Sequence, residues 1–219
     1  DAGACAIGFI FSFRNNVNEQ TFAKALRARA PDVAVSVSSE VQPEFREYER
    51  LSTTVLNAYL QPVMSRYLET LEAGIAKRAP NASLGINQSN GGLMSVGRSR
   101  EFPVRTALSG PAAGAVGAAH AARQIGRRNI ITLDMGGTSA DVALIRDYKV
   151  DLAFDRDVAG FPIRMPCVDV ETVGAGGGSV AWFDRDGLLK AGPKSAGAYP
   201  GPACYGNGGT EPTTTDANL

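Results

Sequence analysis

At 219 residues the chain is long enough to bury a real core, as one large domain or two small ones. Its 22 basic side chains balance 22 acidic ones, so it carries no electrostatic footprint for nucleic acid or an anionic membrane. The single histidine, His120, argues against a His-rich zinc site or a Ser-His-Asp triad built from this chain alone. Cys5, Cys167 and Cys204 are far apart and lack any CxxC spacing, which favours free thiols in a reducing, cytoplasmic setting over a disulfide framework.

The apolar stretch Ala2 to Phe13 is interrupted by Gly3, Gly8 and Ser12. It is too short to span a bilayer and lacks a signal peptide's basic flank, so Ala6 to Phe13 reads as a core strand. Asn18 is placed to cap a helix from about Glu19 to Ala30, ended by Pro31, and Val33 to Val37 is a short β-branched strand. Pro43 then opens a long helical tract. Phe45, Tyr48, Leu51, Val55, Tyr59, Val63, Tyr67, Leu71 and Ile75 form one stripe along it at three- and four-residue spacing, expected to be core. Pro62 is expected to kink or split the tract.

Asn81 to Gly92 reads as a strand entering the turn Ser89-Asn90-Gly91-Gly92. Ser109 is placed to cap a helix reaching roughly Gln124, with Pro111 in its first turn. That helix carries two rows of small residues, Gly110-Gly114-Ala118 and Ala113-Gly117-Ala121, which would let another backbone approach closely or simply pack tightly in an α/β core. His120 reads as an ordinary helix histidine. Strands are expected at Asn129–Leu133, Val150–Phe154, Phe161–Met165, Val168–Val173, Ser179–Phe183 and Leu188–Lys190, with a turn at Asp184-Arg185-Asp186-Gly187 and loop beyond Ala191.

The most informative run is Asp134-Met135-Gly136-Gly137-Thr138-Ser139-Ala140-Asp141, set between two strands. Adjacent glycines remove side-chain bulk and tolerate φ > 0, so successive N–H groups can converge on one anion. An acidic residue just before such a turn can face a phosphate-bound Mg²⁺ through waters. Gly-Gly alone would equally make a hairpin turn beside a solvated aspartate; the whole order of residues favours phosphate. Gly174-Ala175-Gly176-Gly177-Gly178-Ser179 follows a strand like a dinucleotide fingerprint, but a hairpin rather than a helix should follow it, so a Rossmann site is rejected. It reads as a nucleotide- or substrate-facing loop. No GxxxxGK[ST] is present. Asp169 and Glu171, two apart on a strand, share a face that could hold a hard cation or meet solvent. Cys204 lies in a Pro-Gly-rich loop without a basic neighbour and reads as structural.

The Asp134–Asp141 run resembles the second phosphate loop of the actin, Hsp70 and sugar-kinase ATPases, and more closely that of the hydantoinase A and 5-oxoprolinase family. Further blocks match that family in order: Gln88–Leu93, Leu108-Ser109-Gly110-Pro111-Ala112-Ala113-Gly114, Thr172–Ser179 and Pro200-Gly201-Pro202-Ala203-Cys204-Tyr205-Gly206. Pro212–Leu219 resembles the next block, cut off. With Asp1 in place of an initiating Met, the chain reads as a central fragment of a longer protein.

The resemblance implies a partial α/β, actin-like (ribonuclease H-like) fold, a mixed sheet with packed helices. Residues 1–108 would end the first lobe, and 109–219 would begin the second with the phosphate-2 loop and Gly-rich loop. It implies ATP and Mg²⁺ as cofactors, and an ATP-dependent hydrolase that opens a small hydantoin- or 5-oxoproline-type cyclic amide by phosphoryl activation of a carbonyl. A second, hydantoinase-type subunit is the expected protein partner, with no nucleic acid and no membrane. Amides of Gly136, Gly137 and Thr138 would hold phosphate, aided by the Thr138 and Ser139 hydroxyls. Asp134 would orient the Mg²⁺ shell through water, and Asp141 would support the turn or the metal waters. Gly174, Gly176, Gly177 and Gly178, with Ser89, Asn90, Gly91 and Gly92, would line the nucleotide cleft, and Asp169 is a further metal candidate. The family commonly carries histidine where Glu171 stands. If that histidine ligates a metal, this chain binds it differently or not at all. An ATP-dependent ketone carboxylase of the acetone-carboxylase kind and a non-catalytic module are the alternatives. The isolated fragment is expected to be inactive.

Overall fold

The computed structural model describes residues 2–219. In chain order it begins with β1 (Ala4–Ile7), α1 (Val17–Arg29), β2 (Ala34–Val37), the single turn α2 (Ser38–Val41) and the 32-residue α3 (Glu47–Arg78). A hairpin of β3 (Gly85–Asn87) and β4 (Leu93–Ser95), the short α4 (Val96–Glu101) and α5 (Ser109–Gln124) come next. The strands β5 (Ile130–Met135), β6 (Ala140–Arg146), β7 (Lys149–Val150), β8 (Leu152–Val158), β9 (Phe161–Val168), β10 (Val170–Val173), β11 (Ser179–Phe183) and β12 (Leu189–Ser195) follow, and α6 (Thr214–Ala217) closes the series. None of the described helices is long and apolar enough to cross a membrane.

These elements form two compact units. The first runs to Ala113 and adds Leu152–Val168; the second comprises Gly114–Asp151 and Asp169–Leu219. The segments of the two units interleave along the chain. The reason lies in the β8–β9 hairpin: Ile163, Met165 and Cys167 of β9 share one buried cluster with Val41, Phe102 and Val104.

In the first unit β1 and β2 pair in parallel, with Ile7 opposite Val37. Ile7, Ala23 of α1 and Val37 form a second core cluster. The strand expected over Ala6–Phe13 stops at Ile7. There the Phe9 N–H is taken by the Glu19 carboxylate at 2.8 Å instead of a sheet partner, and Phe11 turns to φ 59°. The α1 helix starts earlier than expected, at Val17: Asn15, not Asn18, reaches a free amide, accepting from Val17 N at 3.1 Å. Glu19 is fully buried and also accepts from Ser38 Oγ at 2.6 Å and Ser39 N at 3.0 Å. Burial alone would raise its carboxyl, but the bonds from Ser38, Ser39, Phe9 and Ser12 together hold it below the ordinary value.

α3 reverses the expectation for its stripe. Tyr48, Val55, Tyr59, Val63 and Tyr67 are exposed, Tyr59 to 76%, while Arg50, Thr53, Thr54, Asn57, Ala58, Gln61 and Leu68 are buried. The polar face turns inward because it meets backbone groups that need partners. Arg50 donates to the carbonyls of Glu44 and Phe9 at 2.7 Å each. Asn57 Nδ2 donates to Ser36 Oγ at 2.9 Å and Glu101 O at 3.0 Å, and its Oδ1 accepts from Val104 N at 3.2 Å. Pro62 lies inside the unbroken helix rather than splitting it.

In the second unit β10, β6 and β5 form an antiparallel sheet, in that order, with β7 also paired to β6. β11 and β12 form a hairpin whose turn is tied by Asp184 Oδ1, which accepts from Asp186 N at 3.0 Å and Leu188 N at 2.9 Å. A strand after the glycine run agrees with the rejection of a dinucleotide fingerprint. β12 runs on to Ser195, past the loop start expected at Ala191. The buried positions of α5, Ala112, Ala115, Ala119 and Ala122, lie outside the two small-residue rows; a Cβ at Gly110 or Gly117 would meet nothing within 4 Å, whereas one at Gly114 would lie 3.9 Å from Asp134 Oδ2.

Candidate phosphate-binding turn

β5 and β6 run in register down to Asp134 opposite Asp141 and Met135 opposite Ala140, which leaves Gly136–Ser139 as the turn. Gly136 N donates to Ser139 O at 2.9 Å and closes it. That amide is consumed by the hairpin itself, so Gly136 cannot supply the N–H expected of it.

The next two amides are differently placed. Gly177 N donates to Gly136 O at 2.9 Å, and Gly178 N donates to Gly137 O at 2.7 Å. Both peptide bonds of the turn are trans, since the cis bonds among the described residues are Gly192–Pro193 and Tyr199–Pro200. In a trans peptide the N–H points opposite to the C=O. Two carbonyls drawn to the glycine-rich loop therefore aim the N–H groups of Gly137 and Thr138 away from it, together. Neither donates within the described residues. This is the arrangement that makes an anion-binding concavity from backbone alone.

The glycine-rich loop is the support for that geometry. Gly176 is buried against the turn: a Cβ there would lie 2.6 Å from Gly136 O and 2.7 Å from Thr138 N. Gly176 N is held by Ser179 Oγ at 2.8 Å. Gly176, Gly177 and Gly178 thus act first on the turn's backbone, with Gly177 and Gly178 also lining an open crevice. The crevice, about 630 Å³, is bounded by Met135–Thr138, Gly177, Gly178, Gly197, Ala198, Pro202, Tyr205, Thr215 and Asn218. Gly174 stands apart from this contact, its carbonyl packed against Gly192.

Asp134, Asp141 and Thr172 occupy one row across β5, β6 and β10, so their side chains share a face. Thr172 Oγ1 donates to Asp141 Oδ1 at 2.6 Å. Asp134 Oδ2 lies 3.9 Å from where a Gly114 Cβ would sit, so the α5 glycine leaves that carboxylate room. Like charges directly opposite disfavour a strand pair, and a divalent cation's water shell would relieve them. Among the described residues no three or more His, Cys, Asp or Glu converge as a direct metal-ligand group. Asp169 precedes β10, where its N–H donates to Asp151 O at 2.8 Å, and Glu171 sits within β10 opposite Val142.

The Ser89-Asn90-Gly91-Gly92 turn belongs to the first unit, between β3 and β4. Its groups are engaged locally. Ser89 is buried and donates to the Arg105 carbonyl from both N and Oγ, at 2.8 Å each, and Asn90 Oδ1 accepts from Gly92 N at 2.9 Å. Ser89 and Asn90 help line a cavity of about 190 Å³ with Gln42, Gln88 and Arg105.

Sequence reasoning passed over Thr213, Thr215 and Asp216. Thr213 and Asp216 form a capping box at the start of α6, and the Thr-x-x-Asp spacing is its sequence signature. Asp216 also accepts from Cys204 N at 2.8 Å. Desolvation and the nearby Asp216 carboxylate raise the Cys204 thiol, in keeping with a structural cysteine.

The Hydantoinase/oxoprolinase family model matches residues 50–219. The caprolactamase subunit alpha of Pseudomonas jessenii is 47% identical over 216 residues, covering 99% of this chain and 31% of that protein. The crystal structure of ATP-dependent caprolactamase from the same organism aligns with a TM-score of 0.86 over 99% of this chain. The 5-oxoprolinase PfmaA of Pestalotiopsis fici is 41% identical, covering all of this chain and 17% of its own length. A nucleotide-free structure of acetone carboxylase aligns with a TM-score of 0.75 at 30% identity, covering 97% of this chain and 30% of that one. The chain thus spans less than a third of the length of these relatives.

Proposed function

Because the chain belongs to the hydantoinase/oxoprolinase family, we propose that it carries the second phosphate loop of an actin-like ATPase which, at full length, opens a small cyclic amide using ATP. The observation that carries this reading is the pair of outward N–H groups on Gly137 and Thr138. A second observation agrees with it. Neither Gly136 nor Gly137 has positive φ, and a Cβ on Gly137 would meet nothing within 4 Å. Turn geometry and internal packing do not demand glycine at 137; a ligand pressed close to the backbone would.

The residues fit a Mg-bound phosphate chain. The Gly137 and Thr138 amides, with the Thr138 and Ser139 hydroxyls, would hold phosphate oxygens. Asp134 and Asp141, side by side on one face, would orient the water shell of Mg²⁺. When bound, ATP supplies a phosphoryl group that turns an inert carbonyl oxygen into a leaving group. The chain's own contribution is placement and neutralisation of charge, which dominates phosphoryl-transfer catalysis.

Within this reading the two units are parts of the two lobes, and the 219-residue chain alone opens no cyclic amide. A second, different subunit is the expected partner, as the name of the P. jessenii relative suggests. The likeness to acetone carboxylase keeps a carboxylase as the second reading. Bicarbonate rather than water as the required co-substrate would select it.

Calorimetry with Mg-ATP on the full-length protein tests the proposal. The unsubstituted protein should bind, and Asp134→Ala should weaken binding tenfold or more (about 1.4 kcal/mol). Absence of binding to both would sink it.

A further inference from the structure

We propose that Asp216 is a positioning residue for the phosphate-binding turn, acting through Thr213, Thr215 and Gly177. The inference rests on the reading above, that Gly137 and Thr138 hold phosphate, and adds what keeps them in place.

Four donors converge on this one carboxylate. Oδ2 accepts from Thr213 N and Thr213 Oγ1 at 2.8 Å each and from Ala203 N at 3.3 Å, while Oδ1 accepts from Cys204 N at 2.8 Å. The capping box so formed fixes the first turn of α6. Two residues along from Thr213, Thr215 donates both N and Oγ1 to the Gly177 carbonyl, at 2.8 Å each. Gly177 N in turn holds Gly136 O, and Gly178 N holds Gly137 O. The path from Asp216 to the turn alternates these hydrogen bonds with short stretches of covalent backbone, Thr213 to Thr215 and across Gly177. Its last links are the ones that aim the Gly137 and Thr138 amides.

The same carboxylate also governs the opposite wall. Cys204 N, held by Oδ1, precedes Tyr205, and Tyr205, Pro202 and Thr215 line the crevice with Gly137 and Thr138. One side chain therefore sets the spacing between the phosphate turn and the Pro-Gly-rich loop. Only a carboxylate can hold all four donors, because asparagine would offer one acceptor oxygen and set an NH₂ against the rest. The Cys204 amide and the Thr213 hydroxyl hold the Asp216 carboxyl well below the usual range.

The test uses the full-length protein and three variants: Asp216→Asn, Thr215→Val and Thr215→Ser. Thr215→Val keeps size and the backbone bond to Gly177 and removes only the hydroxyl, so it guards against a variant that fails to fold. Mg-ATP affinity is measured by calorimetry, and amide exchange is followed at Gly177 and Gly178 with β5–β6 amides as the internal reference. Asp216→Asn and Thr215→Val should each speed exchange at Gly177 and Gly178 and weaken Mg-ATP binding by about tenfold, the scale of one lost hydrogen bond. Thr215→Ser should recover most of the lost affinity. Binding by Asp216→Asn and Thr215→Val equal to the unsubstituted protein, with or without faster exchange, overturns the positioning role and leaves the phosphate site standing. Failure of the unsubstituted protein to bind Mg-ATP overturns the phosphate site itself, and the positioning role with it.

Discussion

Asp134 and Asp141 face one another across the β5–β6 pair, one register step before the turn. Opposed carboxylates cost a hairpin stability, and the proposed Mg-phosphate site would account for keeping both. Asp134→Asn should therefore raise the thermal midpoint slightly, the gain being about 0.5 kcal/mol. It should at the same time weaken Mg-ATP binding. A differential scan and a calorimetric titration on one preparation check both signs; loss of stability together with loss of binding would mark Asp134 as a structural residue instead.

Two glycines that look equivalent in the sequence should behave oppositely. A Cβ on Gly137 meets nothing within 4 Å, whereas one on Gly176 meets the backbone of Gly136, Gly137 and Thr138 at 2.6–2.8 Å. Backbone atoms cannot swing aside as a flexible side chain can. Gly176→Ala should lower stability by about 1–3 kcal/mol, as overpacking does. Gly137→Ala should unfold within about 0.5 kcal/mol of wild type yet, on the phosphate-binding proposal, lose Mg-ATP affinity, because the new methyl would stand in the proposed path of the phosphate. Urea denaturation of both variants, followed by titration, separates the cases.

The Gly136–Ser139 turn was legible because its signal is local: an acidic residue, two glycines and two hydroxyl residues between strands define a hairpin that the register reproduces. The role of Gly176–Gly178 was not, because the sequence shows a flexible run but not which backbone it will press against. Asp216 was missed although its capping-box spacing was present, since its partners at Cys204 and, through Thr215, at Gly177 lie 12 and 39 positions away. The interleaving of the two units is hidden for a similar reason. Nothing in the local pattern of β8 and β9 says that Ile163, Met165 and Cys167 will join Val41 and Phe102.

Glu19 gives the first unit a predictable pH response. Its folded carboxyl lies below the ordinary value near 4.5. A depressed carboxylate contributes stability that is fully present above the unfolded value and is lost as pH falls through the folded one. Glu19→Gln should thus be less stable than wild type at pH 7 by about 2 kcal/mol, since the Phe9 and Ser39 amides and the Ser38 hydroxyl lose an ionised acceptor. The gap should narrow steadily below about pH 4.5 and not above it. Urea midpoints from pH 3 to 7 measure it, and a gap independent of pH would contradict the charged, hydrogen-bonded assignment.

The inverted face of α3 makes the last prediction. An apolar stripe at helical spacing ordinarily packs inward, yet here Tyr59 is 76% exposed while Asn57, two residues before it, is fully buried. The energetics follow the hydrogen bonds. Asn57 satisfies the Val104 amide and the Glu101 carbonyl, and Gln61 shares that carbonyl at 2.9 Å while accepting from Ser36 Oγ at 2.9 Å. Truncating Asn57 leaves the buried Val104 amide without a partner and the Glu101 carbonyl with Gln61 alone, so Asn57→Ala should cost about 2–3 kcal/mol in this chain. Tyr59→Ala removes a far larger side chain but strands no polar group, and should change stability by less than about 0.5 kcal/mol. If chemical denaturation ranks the two in the opposite order, the tyrosine stripe and not the polar spine is what holds α3 to β1 and β2.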